Sequence, residues 1–171
     1  SWLFHSDFGY INQFLSMFGI EPIQWLNDPN MAIWALIIFN IWSGLAFKIV
    51  IFLSGLQNID PQYYKAAQID GTPKWKVFTR ITLPLLSPTV FFLTITSVIG
   101  SFKVYNEVFA LFGGKPGPAN SCMTVVYYIY DMFYRSSQVH KAAAASIILF
   151  VIILIITGIQ MLVSKKLVHY K

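Results

Sequence analysis

Residues 142–163 form an apolar stretch that only a few kinds of fold can accommodate. From Ala142 to Ile156 the stretch contains no charged side chain. A helix of about 20 such residues crosses the hydrocarbon core of a bilayer, which is about 30 Å thick. The composition agrees, because 56% of the 171 residues are hydrophobic and 11% are charged, whereas about a quarter of a soluble domain is charged. The chain is therefore predicted to be an integral membrane protein.

Two further segments, 31–56 and 83–102, are also long and apolar enough to cross a membrane. Lys48 lies near one end of the first segment, and its side chain is expected to reach the nearby polar boundary. The second segment has Pro84 and Pro88 in its first turns, where a missing N–H has no intrahelical partner to lose. Together with 142–163, these segments predict an all-α, polytopic fold with three transmembrane helices.

The orientation follows from the Lys and Arg residues of the connections, which favour the cytoplasmic side of a membrane. The 57–82 loop and the 164–171 tail are both basic, with Lys65, Lys74, Lys76, Arg80, Lys165, Lys166 and Lys171. Residues 1–30 contain no Lys or Arg and have acidic side chains at Asp7, Glu21 and Asp28. We therefore expect 57–82 and 164–171 in the cytoplasm, and 1–30 and 103–141 on the external side.

The two external segments are rich in aromatic residues. Residues 1–30 contain Trp2, Phe4, Tyr10, Phe14 and Trp25. In the 103–141 connection, Gly113–Pro118 is predicted to be a turn. A short helix at the membrane surface is predicted to follow, with the side chains Tyr127, Tyr128, Tyr130, Phe133 and Tyr134. Such residues are typical anchors at the membrane–water interface.

The 57–82 loop carries two helix start signals separated by a glycine. Asp60 followed by Pro61 places a side-chain acceptor at the N-cap and a proline at N1. Gly71 can adopt the left-handed conformation that ends this helix, and Thr72-Pro73 repeats the start signal. The second helix is predicted to place three apolar side chains on one face, namely Trp75, Phe78 and Ile81. The loop is therefore predicted to be a helix–turn–helix that leads into the second transmembrane segment.

The first helix of this loop has a surface suited to contact with another protein. Ala66 and Ala67 would let a partner approach closely, and larger side chains flank them, namely Tyr63, Tyr64 and Ile69. Rigid helix ends would transmit a push on the loop to the following transmembrane helix. The residues alone fit a docking loop and a plain, well-capped connection equally well, so both interpretations stay open.

The pattern Lys65-Ala66-Ala67-x-x-x-Gly71, followed by Ile81-x-Leu83-Pro84, resembles the coupling-loop motif of binding-protein-dependent ABC importer permeases. Other segments resemble the carbohydrate branch of that family, and within it the maltose-type subunit: Trp25–Pro29, Asn40–Gly44, Ser101–Lys103, Gly113-Gly114 and Tyr127-Tyr128-x-Tyr130. The resemblance covers the whole chain and corresponds to the C-terminal half of such a permease. The start at Ser1, with no initiator Met, is consistent with an incomplete N-terminus. The chain departs from the family pattern at Lys65, where the motif has Glu, and at Thr72, where Ala is usual.

This resemblance implies a transmembrane permease subunit of an ATP-driven sugar importer in a bacterial plasma membrane. The implied partners are ATP-binding cassette ATPase subunits, a second permease subunit, an extracellular solute-binding protein, the sugar and the lipid bilayer. The residues implied in coupling to the ATPase are Tyr64, Lys65, Ala66, Ala67, Asp70 and Gly71. If the family's Glu meets an Arg of the ATPase, Lys65 would repel that Arg unless the partner has changed too.

Polar groups inside the predicted transmembrane segments are candidates for the solute path, because polar atoms that face lipid are costly. Asn40 and Gly44 lie four apart on one helix face, and the resemblance implies that this Asn-x-x-x-Gly position contributes to sugar binding. Phe47 could supply the aromatic platform that sugars favour, and Ser97 and Ser101 form a similar four-apart pair. For each of these residues, helix–helix packing is the alternative role.

No enzymatic chemistry, cofactor or metal site is predicted. The histidines are scattered at His5, His140 and His169, and Cys122 is the single cysteine. The phosphate-binding pattern Gly-x-x-x-x-Gly-Lys-Ser/Thr does not occur, so ATP hydrolysis would belong to a separate subunit. The basic residues lie between apolar runs and are not grouped for nucleic-acid binding. Two alternatives remain, a fragment of a channel or secondary transporter and a truncated permease remnant, and the sequence does not specify the sugar.

Overall fold

The computed structural model describes residues 2–6 and 8–167 of the chain. The sequence features at Asp7, His169 and Lys171 lie outside this part. All regular structure in the described residues is helical, which confirms the all-α prediction. The α-helices in chain order are α1 (Tyr10–Ser16), α2 (Pro29–Gln57), α3 (Pro61–Ile69), α4 (Lys74–Val77), α5 (Leu83–Leu85), α6 (Ser87–Phe102), α7 (Asn106–Leu111), α8 (Val125–Tyr130) and α9 (Val139–Leu167).

Two of these helices are long and apolar enough to cross a membrane by themselves. They are α2 and the part of α9 from Val139 to Ser164. A third candidate consists of Lys74–Leu85 and Ser87–Phe102, if this bent pair forms one span. The described residues therefore form an all-α, polytopic membrane fold with two or three membrane-spanning helices.

The second predicted transmembrane segment, 83–102, is not one straight helix. The axes of Lys74–Leu85 and Ser87–Phe102 differ by 62° across the break at Leu86. Pro88 has no N–H, so it cannot donate a hydrogen bond to the carbonyl of Pro84, and its ring crowds that carbonyl. Each proline alone is tolerated in a first helical turn, but two prolines four residues apart bend the helix between them. The segment before the bend, Phe78–Thr82, is π-helical.

The described chain divides into two compact units. The first unit consists of the described residues of 1–43 and 100–151. Its core is built on α2, α7 and α8 and on the segments beside them. The buried residues of this core are Phe4, Ala32, Ala35, Leu36, Val104, Val108, Leu111, Cys122 and Tyr127.

Two aromatic residues that were expected at the membrane interface belong to this core instead, and Trp25 packs against it, partly buried. Phe4 is 3% exposed and Tyr127 is fully buried. Trp25 packs edge-on against Phe4, with ring centroids 6.2 Å apart, and its Nε1 donates a hydrogen bond to Asn12 Oδ1 at 2.8 Å. The expectation of interfacial anchoring was wrong for Phe4 and Tyr127, because contacts distant in sequence bury them.

The second unit consists of the described residues of 44–99 and 152–171, and it contains a close contact between α2 and α6. A Cβ added at Gly55 of α2 would lie 2.6 Å from Thr89 Oγ1 and 3.1 Å from Leu86 Cδ1. Small residues let transmembrane helices approach closely in this way. Gly55 therefore sets how near the C-terminal part of α2 comes to the N-terminal turn of α6.

Candidate functional site

The candidate coupling loop begins with a capped helix. The Asp60 carboxylate accepts a hydrogen bond from the backbone N–H of Gln62 at 2.8 Å, and Pro61 occupies the first helical position. This cap satisfies one of the N–H groups that every helix start leaves without an intrahelical partner. The structure confirms the predicted start of α3.

A glycine turn ends α3 and leads into α4. Gly71 has a φ of +63°, a conformation that costs a side-chain-bearing residue about 1–2 kcal/mol. The N–H of Gly71 donates to the carbonyl of Gln68 at 3.2 Å, and that of Thr72 to the carbonyl of Ala67 at 2.9 Å. The predicted helix–turn–helix is confirmed.

The start of the second loop helix differs from the prediction by one residue. The N-cap position of α4 is Pro73, and no side chain caps the helix there. The carbonyl of Pro73 instead accepts hydrogen bonds from the N–H groups of Lys76 and Val77, at 2.8 and 3.1 Å. Thr72 was predicted to be the cap and is not, because Pro73 adopts an extended backbone with a ψ of 145°.

The two alanines of the coupling motif differ in exposure. Ala66 is exposed, whereas Ala67 is 5% exposed and packs inside the second unit. The exposed face of α3 also includes Lys65, and Ile69 is 87% exposed at its end. The accessible surface is therefore formed around Ala66 and not Ala67, and the coupling role of both residues stays a prediction.

A hydrogen bond joins α3 to the segment that enters the bend. The hydroxyl groups of Tyr64 and Thr82 lie 3.2 Å apart, and Thr82 is 7% exposed. The side chains are 18 positions apart in sequence. The contact between Tyr64 and Thr82 was missed by sequence reasoning, since no local pattern marks a pair at that separation.

A cleft of about 490 Å³ lies between α3 and the residues from Gly71 to Thr82. Its lining includes the Tyr64–Thr82 pair and the glycine turn. The lining residues are Tyr64, Gln68, Gly71, Thr72, Lys74, Val77, Phe78 and Thr82. The cleft is mixed in character, with a basic side chain and an exposed aromatic ring at its edge.

The residues predicted for the solute path are distributed over both units. Asn40 and Ser101 belong to the first unit, and Gly44, Phe47 and Ser97 to the second. Asn40 is half-buried, and its backbone carbonyl accepts a hydrogen bond from the Ser43 hydroxyl at 3.1 Å. Phe47 is 61% exposed on α2. Their role in a solute path stays a prediction.

The Lys48 side chain was expected to extend toward the nearer end of α2, but it does not. If a Cβ were added at Gly44, it would lie 3.7 Å from both Cε and Nζ of Lys48. The side chain therefore runs back along the helix toward its N-terminus, the direction in which side chains of a helix lean. Its ammonium group therefore lies beside the middle of α2.

The connection between α7 and α8 is organised around one backbone carbonyl. Gly114 has a φ of +80°, and its carbonyl accepts hydrogen bonds from the Tyr127 hydroxyl at 2.7 Å and from the Arg135 guanidinium. Arg135 also lies 3.5 Å from the Asp131 carboxylate. The predicted turn at 113–118 is thus held against the aromatic helix that follows it.

No group of three or more His, Cys, Asp or Glu side chains that could hold a metal ion occurs within 2–6 and 8–167. Cys122 is a free thiol in the core of the first unit. Burial raises the pKa of this thiol above its ordinary value of 9.0, and a weaker effect of the Ser121 hydroxyl lowers it.

The sequence of this chain matches a known protein family. The model of the family described as the binding-protein-dependent transport system inner membrane component matches residues 5–169. The chain belongs to that family. Membership in the binding-protein-dependent transport family confirms the resemblance inferred from the motif around Ala66 and Gly71.

Among curated members of the transport family, the lactose transport system permease protein LacF of Rhizobium radiobacter is 37% identical over 97% of this chain and 58% of its own length. The trehalose/maltose transport system permease protein MalF of Thermococcus litoralis is 32% identical over 95% of this chain and 54% of its own length. A solved bacterial ABC transporter that imports the acidic polysaccharide alginate has a TM-score of 0.83 and 27% identity, and the match covers 98% of this chain and 58% of that one. The chain thus spans a little over half the length of these relatives.

Proposed function

We propose that this chain is part of a permease subunit of an ATP-driven sugar importer in a bacterial plasma (inner) membrane. It would form part of the solute path and couple to separate ATPase subunits through α3. Membership in the binding-protein-dependent transport family supports the importer. The sugar permeases among its relatives support the substrate class.

The observation that carries the coupling role is the rigid connection from α3 to the bend. The Asp60 cap fixes the start of α3, and the Tyr64–Thr82 hydrogen bond ties its middle to the residue before α5. A force applied to the exposed face of α3 would therefore move Thr82 and the helix that follows it. A plain connection would not need this tie.

The proposed partners follow from the same function. Two ATPase subunits would bind at the coupling loops, and a second permease subunit would complete the translocation path. An external binding protein would deliver the sugar. Lys65 is exposed on α3, so its positive charge would face the ATPase directly, and we expect the ATPase surface opposite it to lack a basic side chain.

Photo-cross-linking of the assembled importer tests the docking. The single cysteine is first replaced by Cys122→Ala, and a benzophenone maleimide is attached to an Ala66→Cys variant. The exposed position should give an adduct between the permease and the ATPase on illumination. Ala67→Cys is the matched control, because a side chain only 5% exposed should take up little label and give little adduct.

The result is informative only in complexes that contain the ATPase, as verified by co-purification. An assembled complex in which the labelled Ala66→Cys variant forms no ATPase adduct would contradict docking at α3. ATP-independent uptake by the same complex would favour the channel or secondary-transporter alternative.

A further inference from the structure

Lys48 is the one charged residue of α2, a helix of 29 residues from Pro29 to Gln57. It lies nine residues before the end of the helix, about 14 Å at about 1.5 Å per residue. Its ammonium group lies still nearer the middle of the helix, because Nζ approaches Gly44. Gly44 directly follows Ser43, the central residue of α2. A charge at the middle of a membrane-spanning helix is costly and requires a polar partner.

The described spans provide no acidic side chain as that partner. The seven acidic residues of the sequence include none in α2, α6 or α9. The ion pair recorded within 2–6 and 8–167 joins Arg135 to Asp131, outside these helices. An anion that balances Lys48 would therefore come from outside these described spans.

The neighbours of Lys48 indicate what kind of anion this is. Gly44, Phe47 and Lys48 have the i, i+3, i+4 spacing that places residues on one helix face. Phe47 is 61% exposed, and its ring offers an apolar face on which a sugar ring can pack. Gly44 has no side chain, and the space beside it holds the Lys48 ammonium group. An aromatic face and a neighbouring cation together fit a sugar that carries an acidic group.

We propose that Gly44, Phe47 and Lys48 form one patch of the solute path, in which the Lys48 ammonium group binds the carboxylate of an acidic sugar such as a uronic acid. The proposal rests on the proposed importer function and specifies its substrate class. The charge-assisted hydrogen bond would be formed in a site shielded from water, where such bonds are strong. An uncharged sugar would leave the ammonium group without its anion.

The test uses the complete importer in proteoliposomes, with its ATPases, second permease subunit and binding protein. Uptake is measured for matched pairs of radiolabelled disaccharides that differ only in a carboxylate: glucuronate against glucose, mannuronate against mannose and galacturonate against galactose. We expect ATP-dependent uptake of an acidic member. Lys48→Gln should raise the KM for that sugar at least about tenfold, and Lys48→Arg, which keeps the charge, should change it less.

The outcomes separate this inference from the proposed function. ATP-dependent uptake of neutral disaccharides alone, or an equal effect of Lys48→Gln on acidic and neutral sugars, would overturn the acidic-sugar proposal and leave the importer intact. Loss of the second permease subunit from the Lys48→Gln complex would assign Lys48 to an ion pair between subunits and also overturn it. An assembled complex that imports no sugar of the panel would count against the importer function itself.

Discussion

Gly55 of α2 and Thr89 of α6 approach so closely that a Cβ on the glycine would lie 2.6 Å from the threonine hydroxyl oxygen. Thr89 follows Pro88 immediately, so the contact lies in the first turn of α6 after the bend. The contacting atoms belong to side chains, and the short, β-branched side chain of Thr89 has few rotamers with which to move away. The contact therefore fixes the position of the bend against α2.

We expect Gly55→Ala to destabilise the protein by about 1–3 kcal/mol, the usual cost of adding atoms to a tightly packed site. Thermal unfolding of the purified complex measures the effect. Gly158→Ala is the control, since a Cβ at this helical glycine meets nothing within 4 Å. Equal melting temperatures for the two variants would contradict the close contact.

Removal of the Tyr64–Thr82 hydrogen bond should weaken the coupling of sugar transport to ATP hydrolysis more than it weakens assembly of the importer complex. Such a bond contributes about 0.5–1.5 kcal/mol, so Thr82→Val should lower the amount of sugar transported per ATP hydrolysed by about two- to tenfold. Thr79→Val is a suitable control, because the Thr79 hydroxyl donates to the carbonyl of Trp75 in its own segment, at 2.9 Å. A coupling ratio unchanged in Thr82→Val would mean that the bond transmits no force.

The turn at Gly71 should tolerate few residues. No atom lies within 4 Å of a Cβ added there, so Gly71→Ala would suffer from backbone strain alone, about 1–2 kcal/mol. Gly71→Asn should be milder, because asparagine adopts the left-handed conformation more readily. Trypsin cleavage after Lys74 or Lys76 reports the loosening of the turn, and we expect the rate to increase from wild type to Asn to Ala. Faster cleavage of the Asn variant than of the Ala variant would reverse the predicted order.

Asn40→Ala should slow sugar uptake while the ATPase remains bound, if Asn40 lines the solute path. The loss of one hydrogen bond to a neutral group corresponds to about a tenfold change or less. Initial uptake rates and co-purification of the ATPase, measured on the same preparation, separate transport from assembly. Uptake at the wild-type rate would remove Asn40 from the path.

Cys122 should react slowly with thiol reagents at neutral pH. Burial raises the pKa of its thiol above 9.0, so at any pH below that value the reactive thiolate fraction is smaller than that of an exposed cysteine. Alkylation by N-ethylmaleimide, followed by mass spectrometry, should therefore be slower than that of an exposed cysteine at neutral pH, and its rate should rise as the pH is raised. The same protein after denaturation, and an Ala66→Cys variant, supply the fast references. Since the neutral thiol is favoured in the folded state, the contribution of Cys122 to stability is present below its unfolded pKa and is lost as pH rises through the raised one.

Local signals in the sequence accounted for most of the coupling loop. The Asp60–Pro61 start and the Gly71 turn depend on neighbouring backbone atoms, so a short pattern suffices to predict them. Long apolar runs likewise predicted α2 and α9, because length and composition decide whether a helix can cross a membrane. The family could also be predicted from the sequence, because several short motifs occur together at fixed separations and the combination is specific to that family.

Features that depend on distant contacts could not be predicted in this way. Ala66 and Ala67 are equivalent as residue types, and only the packing of α3 decides that the second is buried. The direction of the Lys48 side chain depends on the space at Gly44. The burial of Phe4 and Tyr127 depends on a core to which both sequence segments of the first unit, 1–43 and 100–151, contribute. The bend at Leu86 was missed for a different reason, because two individually acceptable prolines act together.

The 62° bend has a geometrical consequence for how the loop could act. A displacement along the axis of the 74–85 segment is not parallel to α6, so it resolves into two components. One component slides α6 along its own axis, and the other tilts it sideways. With Gly55 against Thr89 at the base of α6, sliding is obstructed by steric contact while rotation about that contact is not. The same small movement of α3 would therefore be converted mainly into a tilt, with its largest displacement at the far end of α6.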